Sequence, residues 1–267
     1  MLREPEYGAP LNNVPQDYVR RITRLLVFSQ DYYRLRAVGQ RKKSLNAWLT
    51  SLDILGPQQV FSTLPNVQLH RVWKTLDPIK TEEGLIISPD TTFENCPPLE
   101  VICVGGGSGQ ITVVDDPEVI EFLQKQGSTA KFVTSVCGGS EFLAKAGLLQ
   151  GYRAATHWMA REQLARLGVE VGTERVVIDR NRITGGGVTA GIDFGLVIAE
   201  MLYGEEIAKI TELMLEYDPA PPFNVGSPEK AGAELVSKTI PFYFNWLKTT
   251  KPELAELYAK SFGMGEK

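Results

Sequence analysis

The chain of 267 residues carries a formal net charge of −4, which offers no global basic face for nucleic acid, and its length suits one large domain or two small ones. No apolar run approaches a membrane span, and the first residues lack the apolar core of a signal peptide. Three cysteines and two histidines exclude a disulfide framework and a histidine-rich metal site, so a reducing, cytoplasmic setting is expected.

Residues 1–21 contain proline and asparagine without strong periodicity and read as a surface arm. Residues 24–28 form a first strand. The basic cluster of Arg34, Arg36, Arg41, Lys42 and Lys43 reads as a solvated loop rather than a site for an anionic surface. A helix opens at Asp53 and runs to Phe61, residues 66–73 alternate as a strand does, and a further strand is expected over 83–87. Residues 99–104 are a continuous apolar strand running into the glycine loop 105–109. Asp116-Pro117 supplies an N-cap and a first-turn proline for a helix ending near Gly127.

Next comes Lys131-Phe-Val-Thr-Ser-Val-Cys137-Gly-Gly-Ser140, a short strand meeting a helix over 140–146 with almost no loop. Ser140 is the expected N-cap and Gly147 the left-handed residue past the helix end. Further on, strands are expected over 153–156, 175–178 and 182–184, and helices over 161–167, 190–203 and 205–215. The proline-rich stretch 218–224 must run extended, and the C-terminal 35 residues read as amphipathic helix broken near Pro241. Strands alternating with helices predict a mostly parallel sheet covered on both faces, with the reactive crevice at the carboxyl ends of its strands. The loop 105–109 and Cys137 both follow strands and so share that crevice.

Cys137 sits at the strand-to-helix joint that an activated nucleophile needs, where opening helix amides favour thiolate. The plain alternative is an inert, buried small hydrophobe. The glycine loop lacks G-x-G-x-x-G spacing and any following Gly-Lys-Ser/Thr, so it suits backbone N–H donation to developing charge better than nucleotide binding. Asp53 is either a helix cap or a raised-pKa proton carrier facing Cys137. His157 is either a base paired with Cys137 or a buried ring bonded to backbone, and Asp193 reads as a cap.

Eight segments in order carry a resemblance. They are Leu52-Asp-Ile-Leu-Gly-Pro57, Cys96-Pro-Pro-Leu-Glu-Val-Ile-Cys103, the loop 105–109, Thr134-Ser-Val-Cys-Gly-Gly-Ser140, Ala146-Gly-Leu-Leu-Gln-Gly151, Thr156-His-Trp158, Thr184-Gly-Gly-Gly-Val-Thr-Ala-Gly-Ile-Asp-Phe194 and Leu215-Glu-Tyr-Asp-Pro-Ala-Pro-Pro-Phe-Asn224. Together they resemble the ThiJ/PfpI superfamily, and within it the isocyanide hydratases. The resemblance implies a flavodoxin-like three-layer α/β sandwich of the class I glutamine amidotransferase-like kind, with a mostly parallel central sheet. It also implies a homodimer without cofactor or metal, acting on a small electrophile as a hydro-lyase.

Its residues carry over as Cys137, the nucleophile, Asp53, its carboxylate partner, and Gly106, Gly107, Gly138 and His157 around the bound substrate. The domain layout it implies is an arm over 1–21, a core over 22–228 holding an inserted segment 34–51, and a helical extension over 229–267. Three departures stand out: Gly138 where these enzymes carry threonine, Gly105 for proline, and the insert itself. A redox or small-molecule sensor and a glyoxalase or deglycase are the alternative activities on the same scaffold.

Overall fold

A computed structural model describes the backbone of Thr23–Phe28 and residues 49–261, so the arm, most of the inserted segment and its basic cluster lie outside the described residues. In chain order the elements are β1 (Thr23–Phe28), α1 (Ser51–Ser62), β2 (Val67–Trp73), β3 (Ile79–Lys80), β4 (Ile86–Ile87), β5 (Thr91–Thr92), β6 (Val101–Val104), α2 (Gln110–Val113), α3 (Pro117–Gly127), β7 (Phe132–Val136) and α4 (Gly139–Lys145). There follow β8 (Arg153–Ala154), a 3-10 turn (Trp158–Ala160), α5 (Arg161–Arg166), β9 (Glu170–Val171), β10 (Val176–Asp179), β11 (Arg182–Gly185), α6 (Ala190–Tyr203), α7 (Glu205–Met214), α8 (Pro228–Thr250) and α9 (Pro252–Ser261).

Seven strands form the central sheet in the order β10-β11-β7-β6-β1-β2-β5. Every neighbouring pair is parallel except β10 with β11. All of β6 and β7 is buried, as strands covered on both faces must be, and this is why the sequence of β6 is continuously apolar rather than alternating. Alternate residues still part to opposite faces. Val101 and Cys103 of β6 join α1's Val60 and Phe61 and α6's Phe194 and Ile198. Ile102 and Val104 join α3's Phe122 and Leu123 and α4's Phe142 and Leu143. The result is a flavodoxin-like three-layer sandwich.

Small residues set how closely α1 can lie on α6. A Cβ on Gly191 would sit 2.8 Å from Cδ of Pro57, and one on Gly195 would sit 3.1 Å from Cβ of Val60. This close contact holds α1, and Asp53 on it, against the sheet.

Two expectations change. The strand expected over 83–87 shrinks to β4, which pairs only with β3 in a two-stranded ribbon. Pro241 does not break the C-terminal helix. α8 runs through it, kinked instead at Gly232 (φ +77), and ends at Thr250 with Lys251 in the capping position. Glycine adopts that left-handed conformation without a Cβ clash, whereas Lys251 precedes Pro252, whose ring disfavours helical geometry in the residue before it.

Candidate active site

β7 delivers the chain to Cys137, which takes φ +59 before α4 begins. A non-glycine residue holds that conformation only where its surroundings over-determine it. Here the Cys137 N–H donates to the Gly186 carbonyl at 2.7 Å, and the Cys137 carbonyl accepts from Thr156 Oγ1 at 2.8 Å. The neighbouring glycines admit close backbone approach. A Cβ on Gly139 would lie 2.0 Å from the Val104 carbonyl oxygen, and one on Gly106 would lie 2.4 Å from the Gly138 nitrogen. The expected Ser140 cap is not one: the helix starts at Gly139, with Gly138 in the capping position. Ser140 Oγ instead lies 2.8 Å from Ser135 Oγ and bonds the Ala155 carbonyl at 2.5 Å, tying the elbow to β7.

Asp53 is the third residue of α1, after Thr50 in the capping position, so the cap reading falls. Its carboxyl group is fully buried. Oδ2 accepts the Gly106 N–H at 2.8 Å, while Oδ1 has no hydrogen-bond partner among the described residues. Burial pushes its pKa well above the usual carboxylate range, against the opposing pull of the Gly106 amide and the adjacent Cys137 thiol. The thiol moves the same way: burial and then the Asp53 charge push it up, with the Gly138 amide pulling it down. The Gly138 amide does favour thiolate, as expected at a helix opening, but desolvation and the Asp53 charge act against it and the net shift is upward. Two such acids in contact favour one negative charge between them over two, so a proton shared by carboxyl and sulfur is the arrangement's main chemical resource.

A cavity of about 870 Å³ opens beside the elbow, lined by Cys137, Gly107, Gly138 and His157 among others. Cys103 and Cys96 do not border it, and burial raises their thiols to about 12 and about 11. Gly106 stands behind the cavity wall, holding Asp53. His157 does not pair with Cys137: among the described residues no hydrogen bond joins them. Its Nδ1 accepts the Met159 N–H at 3.3 Å, and burial with Arg161 nearby lowers its pKa to about 4, so it is a neutral ring. Asp193 is an ion-pair partner of Arg175 at 2.7 Å and accepts from Tyr217 Oη at 2.9 Å, rather than a cap. Among the described residues no cluster of three or more His, Cys, Asp or Glu side chains is arranged to hold a metal ion.

Three participants escape sequence reasoning. A Cβ on Gly138 would lie 1.6 Å from Oε1 of Gln110, so that buried amide fills the space beside the residue where threonine was expected. Gln110 also hydrogen-bonds Glu141, whose carboxyl is raised by burial to about 7. On the far side of the glycine loop, Lys251 is 2% exposed and pairs with Glu82 at 3.0 Å. Its ammonium also donates to Ser108 Oγ at 3.0 Å, and the Ser108 N–H donates to Glu82. No local signal in the sequence marked Gln110 or Lys251.

Residues 48–201 match the DJ-1/PfpI family. The chain belongs to the DJ-1/PfpI family. It is 49% identical over 187 residues to isonitrile hydratase of Pseudomonas putida, covering 70% of this chain and 82% of that one. It is 32% identical over 209 residues to the HTH-type transcriptional regulator GbdR of Pseudomonas aeruginosa, covering 76% of this chain but only 53% of the regulator. Among solved structures, a ThiJ/PfpI family protein from Pseudomonas syringae superposes with TM-score 0.78 at 37% identity, covering 95% of this chain and 97% of that one. Drosophila melanogaster DJ-1beta shares the fold at TM-score 0.62 and 20% identity, over 73% of this chain and 98% of that one. The DJ-1/PfpI match spans Asp53, the glycine loop and Cys137 but stops short of α7, α8 and α9.

Proposed function

We propose that this DJ-1/PfpI protein hydrates isocyanides to N-substituted formamides, with Cys137 as nucleophile and Asp53 as proton carrier. The observation that carries the reading is the buried Asp53 carboxyl set beside the Cys137 thiol, with Oδ1 left unpartnered among the described residues. The likeness to an isonitrile hydratase supports it. Cys137 passes its proton to the Asp53 carboxylate, the thiolate so formed adds to the terminal carbon of R–N≡C, and the Asp53 carboxylic acid delivers that proton to the carbon, giving an enzyme-bound thioimidate. Water then adds to the same carbon, passing one proton to the Asp53 carboxylate, and its other proton moves to nitrogen as the carbon–sulfur bond breaks to release R–NH–CHO and the thiolate. Overall one water is consumed per isocyanide. The amides of Gly107 and Gly138 orient the reacting atoms, and neutral His157 shapes the cavity beside them.

Incubation with an alkyl isocyanide is expected to yield the formamide, and Cys137→Ala to lower the rate at least 10³-fold. Equal rates for the two proteins, read by chromatography of the formamide, overturn the proposal. The extensive match to a transcriptional regulator favours ligand sensing as the second reading, which predicts isocyanide binding without turnover in the same assay.

No helix among the described residues is long and apolar enough to cross a membrane. Cys96, Cys103 and Cys137 are all free thiols, which supports a reducing, cytoplasmic setting. A homodimer is proposed from the large apolar side chains left exposed along 213–242: Leu213, Met214, Phe223 and Phe242. Light scattering is expected to report about twice the chain mass of 29.6 kDa, and Leu213→Glu with Phe223→Glu to halve it. A wild-type mass of one chain removes the dimer.

A further inference from the structure

The far wall of the Cys137 cavity comes from outside the segment that defines the family. Phe242, Tyr243 and Trp246 of α8 and Tyr258 of α9 line it, whereas the family match ends at residue 201. Tyr243 and Trp246 stack with ring centroids 5.8 Å apart and planes 28° from parallel. Both are half-buried, so they keep surface turned to the cavity. The wall is fastened where it begins to turn. The Lys251 ammonium sits 4.5 Å from the Trp246 ring centroid and, through its bonds to Glu82 and Ser108, joins α8 to the glycine loop beside Cys137.

Size and polarity narrow what this wall receives. A cavity of about 870 Å³ is in the range that encloses ligands of drug size, far beyond an isocyano group with a short alkyl chain. The carboxylates along its edge are already engaged. Glu82 is held by Lys251, Glu83 accepts the Ser51 N–H at 3.1 Å, Asp115 pairs with Lys145 at 2.6 Å, and Glu141 hydrogen-bonds Gln110. Tyr243 and Trp246, stacked on each other, supply a broad aromatic face to the cavity.

We infer that the C-terminal helices form a substituent-binding wall, and that the substrate class is isocyanides bearing an uncharged aromatic or fused-ring group that stacks on Tyr243 and Trp246. This rests on the isocyanide hydratase reading and deepens it. Binding energy from the substituent, realised away from the sulfur, then holds the isocyano carbon over Cys137.

The test uses the full chain and separates binding from chemistry. Calorimetry with the two formamide products is expected to show N-(2-naphthylmethyl)formamide binding at least tenfold tighter than N-methylformamide. Tyr243→Ala is expected to weaken the naphthyl product about tenfold and leave the methyl product unchanged. Thr239→Trp, which fills the cavity from a half-buried lining position, is expected to do the same should Tyr243→Ala fail to fold. The ratio of kcat/KM for 2-naphthylmethyl isocyanide over methyl isocyanide is expected to follow, at tenfold or more. Equal affinity for the two formamides overturns the wall whatever the turnover. Discrimination between formamides without turnover of either isocyanide keeps the aromatic wall and overturns the hydratase reading.

Discussion

Asp53→Asn is expected to lower kcat for isocyanide hydration by about 10²–10⁴-fold, the contribution of a positioned proton carrier. The same substitution is expected to raise the melting temperature at neutral pH. Asparagine keeps the size of the side chain and an oxygen to accept the Gly106 N–H, but it cannot give or take the proton. The stability gain follows from the direction of the Asp53 shift. Its folded pKa is raised well above the value of 3.8, so unfolding releases a proton at any pH between the two. The native protein thus loses stability as pH rises from the unfolded value through the folded one, and the loss is complete above the folded value. Asparagine carries no such penalty. Thermal melts of the two proteins should separate as pH is raised from 4 to 8 and converge below 4. A variant with unchanged kcat removes Asp53 from the chemistry, and melts separated equally at every pH remove the buried-carboxyl argument.

Lys251→Met is expected to cost about 3–5 kcal/mol of folding stability, the loss seen when one partner of a buried ion pair is removed. Lys251 is 2% exposed and Glu82 12% exposed, so the carboxylate left behind has neither its cation nor ready access to water. Surface pairs such as Lys238 with Glu234 offer the contrast: exposed and four residues apart on a helix, they contribute at most about 1 kcal/mol. The double variant Lys251→Met with Glu82→Gln is expected to regain most of the loss, because no unpaired charge remains. Urea unfolding of the four proteins in this cycle measures the coupling directly. A single-variant loss below about 1 kcal/mol would place Lys251 with the surface pairs and release α8 from the glycine loop.

Much of the scaffold was legible because it is written locally. The unbroken apolar run of β6 and the aromatic and β-branched residues of β7 announce buried strands, and Asp116 does accept the Glu118 and Val119 N–H groups at the start of α3. Gly147, at φ +73, stands at the end of α4 as its position implied. Local signals misled where two readings share one pattern. Pro241 looks like a helix breaker, yet the helix absorbs it and bends at Gly232, and a serine after two glycines looks like a cap when its hydroxyl is needed by β7.

By itself, then, the sequence determined the layered α/β scaffold, the strand-to-helix joint at Cys137 and the glycines that let a loop close upon it, since each depends on residues near in the chain. Only the tertiary structure decided that Asp53 faces the sulfur rather than capping its helix, and that burial raises the thiol against the amides beside it. It alone brought Lys251 to Ser108 across 143 residues. Desolvation and long-range contact depend on what the whole fold packs around a group, and no window of sequence contains that information.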